Sequence, residues 1–240
     1  MLSLFTVLRR SVRKVGLKPG QVALTFDDGP NDEERATKNV LDVLHRHSVK
    51  AGFCLVGKQV RRQKELVRRM FHSGHLLINH TQTHIHPLRQ KSVELQREIS
   101  QCDMEIGRAL GQPDYQSDFF RAPFGIVTPA IRRVLKRRKM QHVLLTHYGW
   151  DTRLGPHNWQ SMVDGLVEDA MEKEGGLFVL HDGSLVPPLI AEKDWNRSVE
   201  NRSWVSEAVE CIITRLKAKG FQFVLPGMKE RQKVVLRKAA

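Results

Sequence analysis

Two short stretches of the chain carry side chains whose types and spacing could do chemistry. In "TFDDGP", Asp27 and Asp28 stand side by side behind an apolar run and ahead of Gly29 and Pro30. Adjacent carboxylates repel, so a folded site keeps both ionised only where cations lie close by. In "NHTQTH", His80 and His84 recur at i,i+4, a spacing that sets both imidazoles on one face of a helix, where they could share one ion. Two ring nitrogens and one carboxylate oxygen, with coordination positions open to water, form the donor set of a catalytic zinc site, and non-haem iron takes the same ligands. Each fragment alone has a plainer reading. A His pair four apart is more often surface or capping chemistry, and "DD" before "GP" is more often a turn with an Asx hydrogen bond. Together they say more, because each follows an apolar strand candidate and would lie on the same rim.

The elements that must position these groups alternate along the chain. Strand-like runs are "QVALTF", "AGFCLV", "HLLIN", "SDFF", "HVLLTH", "LFVLHD" and "FQFVL". Between them, apolar residues every three or four positions predict helices over about 33–47, 58–73, 92–111, 128–139, 159–174 and 199–219. Thr128 and Pro129 read as an N-cap and first helical position. Strand followed repeatedly by helix implies a parallel sheet covered by helices, and seven strand candidates favour a (β/α) barrel, complete or incomplete. In such a barrel the catalytic groups sit at the C-terminal ends of the strands, which is where "DDGP" leaves "VALTF". One domain over residues 20–226 is expected, with a basic segment at 1–19 and a basic tail at 227–240. The run "HDGSLVPPLIAEKDWNRSVENRS" reads as a surface loop near the active face.

Lys and Arg number 39 against 26 Asp and Glu, a net charge of +13 that favours anionic partners, such as a membrane or cell-wall surface touched peripherally. No zinc finger, RNA-binding signature or basic strip interleaved with aromatics accompanies the charge, so nucleic acid is disfavoured as a partner, and no obligate protein partner is inferred. Cys54, Cys102 and Cys211 are an odd, scattered set that argues against a disulfide framework and fits a reducing compartment, with Cys54 read as plain core. No apolar run approaches the roughly 18 residues that cross a bilayer. In "MLSLFTVLRRSVRKVG" the positive charges follow the apolar stretch and no small-residue cleavage site appears, so the segment reads as uncleaved: a short helix packed on the domain or, alternatively, a basic amphipathic anchor. A cytoplasmic enzyme, or one peripheral to the inner membrane surface, is the expectation.

Five stretches, "TFDDGP", "NHTQTH", "RAPFG", the "WDT" of "GWDTRLG" and "LFVLHD", resemble in order and approximate spacing the motifs of the polysaccharide deacetylases, the NodB-homology domain or carbohydrate esterase family 4. The resemblance covers about residues 20–226. It implies a distorted (β/α) barrel, seven-stranded, and metal-dependent removal of N- or O-acetyl groups from sugars. By position, Asp27 resembles the catalytic base, and Asp28, His80 and His84 the ligands of one divalent ion: Zn2+ first, with Co2+, Mn2+, Ni2+ or Fe2+ as alternatives. Arg121 resembles the arginine that holds the base, Asp151 the carboxylate that tunes the acid, and His181 the acid itself, while the Phe124 backbone N–H is implied as an oxyanion donor. Asp182 and His75 are read as structural.

The departures from the family pattern concern the sugar groove. Phe124 stands where tyrosine is common. The D-x-x-D-W pattern ends here in Leu154 and Gly155, so the tryptophan wall is absent or supplied by Trp150 or Trp159. Val179 stands where leucine lines the acetyl pocket, with Leu180 adjacent. The expected activity is N-deacetylation of an amino-sugar carbohydrate: a polysaccharide, peptidoglycan, or a glycolipid or nucleotide-linked sugar. An O-acetyl esterase or a deformylase is the alternative on the same scaffold. A non-catalytic carbohydrate-binding protein or a basic nucleic-acid-binding protein is the alternative of another class.

Overall fold

The computed structural model describes residues 16–31, 35–183 and 201–226. Residues 1–15 of the basic N-terminal segment, residues 32–34, residues 184–200, which fall in the run expected as a surface loop, and the tail 227–240 lie outside the described residues. In chain order the elements are β1 (Gln21–Asp27), α1 (Ala36–Arg46), β2 (Gly52–Leu55), α2 (Gly57–Arg62), α3 (Lys64–His72), β3 (Leu76–Asn79), α4 (Ser92–Leu110) and β4 (Phe119–Phe120). They continue as α5 (Pro129–Arg138), β5 (Gln141–His142), β6 (His147–Tyr148), α6 (Gln160–Glu172), β7 (Gly175–His181), α7 (Val205–Ala218) and β8 (Gln222–Phe223).

All pairings are parallel, in the order β5-β4-β3-β2-β1-β7-β6, with β8 pairing the start of β1. The two edge strands, β5 and β6, are consecutive in the chain and joined only by residues 143–146. In a flat sheet, six strand spacings would hold those edges about 29 Å apart. The link reaches roughly 17 Å. The sheet therefore curls into a distorted (β/α) barrel with its seam between β5 and β6. The run "HVLLTH", expected as one strand, instead supplies the end of β5, the link and the start of β6, because closing the barrel requires the chain to leave one edge and rejoin the other. The helix expected over 58–73 is likewise two: Gln63, at φ −124° and ψ 48°, ends α2 and starts α3. Thr128 caps α5 as expected, its Oγ1 accepting from Ile131 N at 3.2 Å.

Alternation along the strands sorts the core into two layers. Val22, Leu24, Phe26, Phe53, Leu55, Phe178 and Leu180 pack outward against the helices. Ala23, Cys54, Ile78, Phe119, Leu177 and Val179 fill the barrel. Phe26 and Phe53 stack at 5.1 Å, a contact worth ~0.5–1.5 kcal/mol beyond its buried area. None of the described helices is long and apolar enough to cross a membrane.

Candidate active site and metal centre

The pleat of β1 decides the fate of the paired aspartates. Asp27 is the last strand residue and points inward, on the same face as Thr25; Asp28 follows at φ 71°, a left-handed turn that swings its carboxylate away from its neighbour. One carboxylate thus meets a guanidinium and the other meets imidazoles.

Arg121, which follows β4, is buried and reaches across the barrel mouth. Its Nη1 donates to Asp27 Oδ1 at 2.6 Å and to Thr25 Oγ1 at 2.7 Å. Its Nε and Nη2 donate to the carbonyls of Val143 and Leu144 at 3.3 and 3.4 Å, so the same side chain fastens the link that closes the barrel. Burial pushes the Asp27 carboxyl up, but Arg121, with His80 and His181, outweighs it and holds the group well below the usual carboxylate range.

The loop carrying His80 and His84 leaves β3 without forming a helix. The sequence expectation of one helical face for His80 and His84 is corrected: Thr81 at φ 70° and His84 at φ 55° fold the segment into a tight loop that turns both rings inward. Asn79 anchors it, its Oδ1 accepting from Thr81 N at 2.9 Å while its Nδ2 donates to Ile99 O and to Asp103 Oδ1 at 2.9 and 2.8 Å. His84 N donates to Thr81 Oγ1 at 3.0 Å. His80 Nδ1 lies 2.9 Å from Arg121 O. A carbonyl can only accept, so Nδ1 carries a proton and Nε2 is the ring nitrogen turned toward Asp28.

His80 Nε2 and His84 Nε2 lie 3.4 and 3.3 Å from Asp28 Oδ1, a buried oxygen with no hydrogen-bond partner. One such atom from each of Asp28, His80 and His84 lies within 4.8 Å of the other two, close enough to hold one metal ion. Burial pushes the His84 imidazole down to about 4, against the pull of Asp28, so that ring is neutral near pH 7. Two imidazole nitrogens turned toward an orphaned buried carboxylate oxygen fit a divalent cation.

The opposite side of the site is built on β7. His181 pairs with Asp27 in the sheet register. Its Nδ1 lies 2.9 Å from Asp151 Oδ1, and its backbone N donates to Asp151 Oδ2 at 2.7 Å. Burial alone would lower the imidazole, but Asp151 outweighs it and the group is pushed up to about 9, protonated at neutral pH. Arg202, which sequence reading missed, donates Nε to His181 O at 3.0 Å and Nη1 to Asp151 O at 2.8 Å, and its Nη2 also bonds the Asp151 carboxylate. No periodicity or motif marks Arg202. Thr25, also missed, was accessible from the alternation that places it on the face of Asp27.

Backbones of the two sides touch. A Cβ on Gly183 would lie 2.6 Å from Asp28 O, and one on Gly29 would lie 2.6 Å from Asp182 Oδ1. Asp182 is buried, accepts from Thr37 Oγ1 at 2.6 Å and faces away from the barrel, in keeping with its reading as structural. His75, as expected, is structural, its Nδ1 accepting from Ala51 N at 3.2 Å.

The groove residues separate. Phe124, at φ 57° and 58% exposed, lies between the rings of His84 and His86 at 4.7 and 4.9 Å. Trp150, at φ 56° and 53% exposed, stands beside Tyr148, which in turn meets the His181 ring at 5.9 Å. Bulky residues with left-handed backbones store strain and concentrate at functional sites. Trp159 is not a groove wall: it is buried and stacks on Trp204 at 6.2 Å. Val179 faces the barrel interior, but Leu180 belongs to the sheet–helix layer, so the pleat removes it from the expected acetyl pocket.

Comparison with known proteins identifies the family. The family model for polysaccharide deacetylase matches residues 14–143. The chain is 34% identical over 204 residues to a chitooligosaccharide deacetylase of Bradyrhizobium sp. (strain ANU 289), covering 84% of this chain and 86% of that protein. It is 28% identical over 208 residues to a peptidoglycan-N-acetylglucosamine deacetylase of Bacillus cereus, covering 85% and 84%. A family 4 acetyl xylan esterase from Clostridium thermocellum, solved with a cobalt ion, superposes with a TM-score of 0.68 at 26% identity over 85% of this chain and 87% of that one. The chain belongs to the polysaccharide deacetylase family and is a carbohydrate deacetylase.

Proposed function

We propose that residues 20–226 hydrolyse the N-acetyl amide of an N-acetylglucosamine-containing carbohydrate, with Asp27 as general base, His181 as general acid and one divalent ion, zinc in the first instance, held by Asp28, His80 and His84. The observation that carries this reading is the pairing of a strongly acidic Asp27 with a strongly basic His181 on neighbouring strands, beside a carboxylate–imidazole cluster.

Asp28, His80 and His84 would hold a divalent cation, which when bound would supply Lewis-acid polarisation of the acetyl carbonyl and a water of lowered pKa. Asp27, kept anionic and oriented by Arg121, takes the proton of the attacking water. The Phe124 backbone N–H donates to the tetrahedral oxyanion. His181, its Nδ1 turned to Asp151, gives the Nε2 proton to the departing amine; an amine is a poor leaving group without it. Trp150 and Tyr148 form the wall on the acid side, Phe124 the wall on the ligand side, and Val179 the floor.

The relatives that act on chitooligosaccharides and on peptidoglycan N-acetylglucosamine support this substrate class. The structural likeness to an acetyl xylan esterase makes an O-acetyl ester the second reading. The net charge of +13, with exposed Arg132, Arg133, Lys136 and Arg137 along α5, supports work at an anionic surface, whether membrane or cell wall. The test is acetate release from chitooligosaccharides, peptidoglycan fragments, nucleotide-linked N-acetyl sugars and acetylated xylan, with and without chelator, against Asp27→Asn. Release from amide substrates that disappears with chelation and in Asp27→Asn supports the reading. Release confined to acetylated xylan, or unaffected by thorough chelation, overturns it.

A further inference from the structure

The peptide that joins Arg121 to Ala122 is held at both ends by imidazoles, and only one of them belongs to the proposed metal centre. Its carbonyl lies 2.9 Å from His80 Nδ1, and its N–H donates to His142 Nε2 at 3.1 Å. The topology explains the second bond. β4 and β5 pair Phe119 with Gln141 and Phe120 with His142, while Gln141 N and Val143 N donate to Asp118 O and Phe120 O. A continued parallel ladder would send the Ala122 N–H to Val143 O. The chain leaves the sheet edge there to close the barrel, and Val143 O accepts from Arg121 Nε instead. The half-buried His142 ring, its centroid 6.2 Å from that of Phe120, takes the place of that carbonyl.

We propose that His142 is a positioning residue for the metal ligand His80: by fixing the Arg121–Ala122 peptide, it holds the carbonyl that orients the His80 ring. The inference rests on His80 being a metal ligand. A main-chain N–H can only donate, so His142 Nε2 is unprotonated and the ring is neutral. Burial, with Arg121 beside it, pushes this imidazole down to about 4, so it remains an acceptor at neutral pH. Ala122 O in turn accepts from Gly125 N at 3.1 Å, so the same anchorage reaches the turn that presents Phe124.

An acceptor role and a packing role predict opposite outcomes for two substitutions. Glutamine offers an acceptor oxygen and loses the ring; phenylalanine keeps a ring against Phe120 and loses the acceptor. By calorimetry, His142→Phe should bind zinc about 10–100-fold more weakly than the wild type, and His142→Gln within about threefold of it. Wild-type zinc affinity in His142→Phe, or equal losses in both variants, overturns the proposal. A readout independent of metal and turnover is the His80 Nδ1 proton in the magnetic resonance spectrum of metal-free protein, assigned by its loss in His80→Gln. It should exchange faster with water in His142→Phe and not in His142→Gln; an unchanged proton in His142→Phe counts against the role. The wild type needs no variant: coupling between the Ala122 and His142 Nε2 nitrogens is expected across their hydrogen bond, and a His142 ring protonated on Nε2 removes the basis of the proposal. Failure of the wild type to bind zinc removes the metal reading and this inference with it, whereas equal binding by wild type and His142→Phe removes only the inference about His142.

Discussion

Asp27 and His181 stand on one rung of the sheet, the last residues of β1 and β7 and partners in their parallel register. Neighbouring strands lie ~4.8 Å apart, and residues paired across them point to the same face. The proposed base and acid are therefore set relative to each other by main-chain hydrogen bonds. Arg121 and Asp151, each from a different loop, then hold one side chain anionic and the other cationic.

Asp27→Asn should lower kcat by about 10²–10⁴, the usual worth of a positioned general base, with metal uptake retained in calorimetry. The same substitution leaves Arg121 buried without its carboxylate, so chemical denaturation should show a loss of ~3–5 kcal/mol. Asp28→Asn should behave differently and lose metal affinity.

The raised pKa of His181, about 9, places the basic limb of the kcat/KM profile there, where the acid loses its proton. Asp151→Asn should bring that limb down toward or below the ordinary histidine value of about 6.5. Stability follows the same sign. The folded state binds this proton more tightly than the unfolded chain, so the contribution of His181 is full below about pH 6.5 and lost as pH rises to about 9; denaturation between those values should show a slope that Asp151→Asn flattens.

Removal of the metal should abolish turnover and lower Tm, since an ion that binds only the folded state stabilises it by about 2.7 kcal/mol at a hundredfold excess over Kd. Thermal scans with chelator and with added zinc should differ in the wild type and coincide in His84→Ala.

Gly183→Ala places a methyl group 2.6 Å from the main-chain oxygen of Asp28, which cannot rotate away. The loop carrying Asp28 must shift, with a loss of ~1–3 kcal/mol and weaker metal binding by calorimetry. An alanine at Gly165, which meets nothing within 4 Å, is the control.

Arg202→Ala removes the guanidinium that bonds the side chain and the carbonyl of buried Asp151. Losing one partner of a buried pair costs ~3–5 kcal/mol, so Tm should fall by several degrees and kcat with it. Arg202→Lys should recover the charge but not the fork, and remain intermediate in both.

Much of the barrel was legible because a half-buried strand and an amphipathic helix write their periods into the chain. β1, β2, β3 and β7 appear where their apolar runs lie, and α5 starts at the Thr128–Pro129 signal. The break at Gln63 and the splitting of "HVLLTH" were not legible: neither carries a glycine or proline, and the second exists only because two edges of a curled sheet must be joined. The arrangement of His80 and His84 was half legible. Their types and spacing marked them as a pair, but a tight loop, and not a helix, brings them together, since two left-handed residues held by Asn79 and Thr81 override the local pattern.

What the chain determined by itself is the inventory: an Asp pair at a strand exit, a histidine pair past another, an arginine, an aspartate and a histidine in order, on a scaffold of alternating strands and helices. The resemblance implied which aspartate meets Arg121 and which meets the imidazoles; tertiary structure alone decided that Leu180 turns away while Val179 stays, and that Arg202 joins the site. The physical reason is that roles at this site are set by which side of a pleat a residue occupies and what lies across the barrel from it, and contacts between residues distant in sequence leave no local period to read.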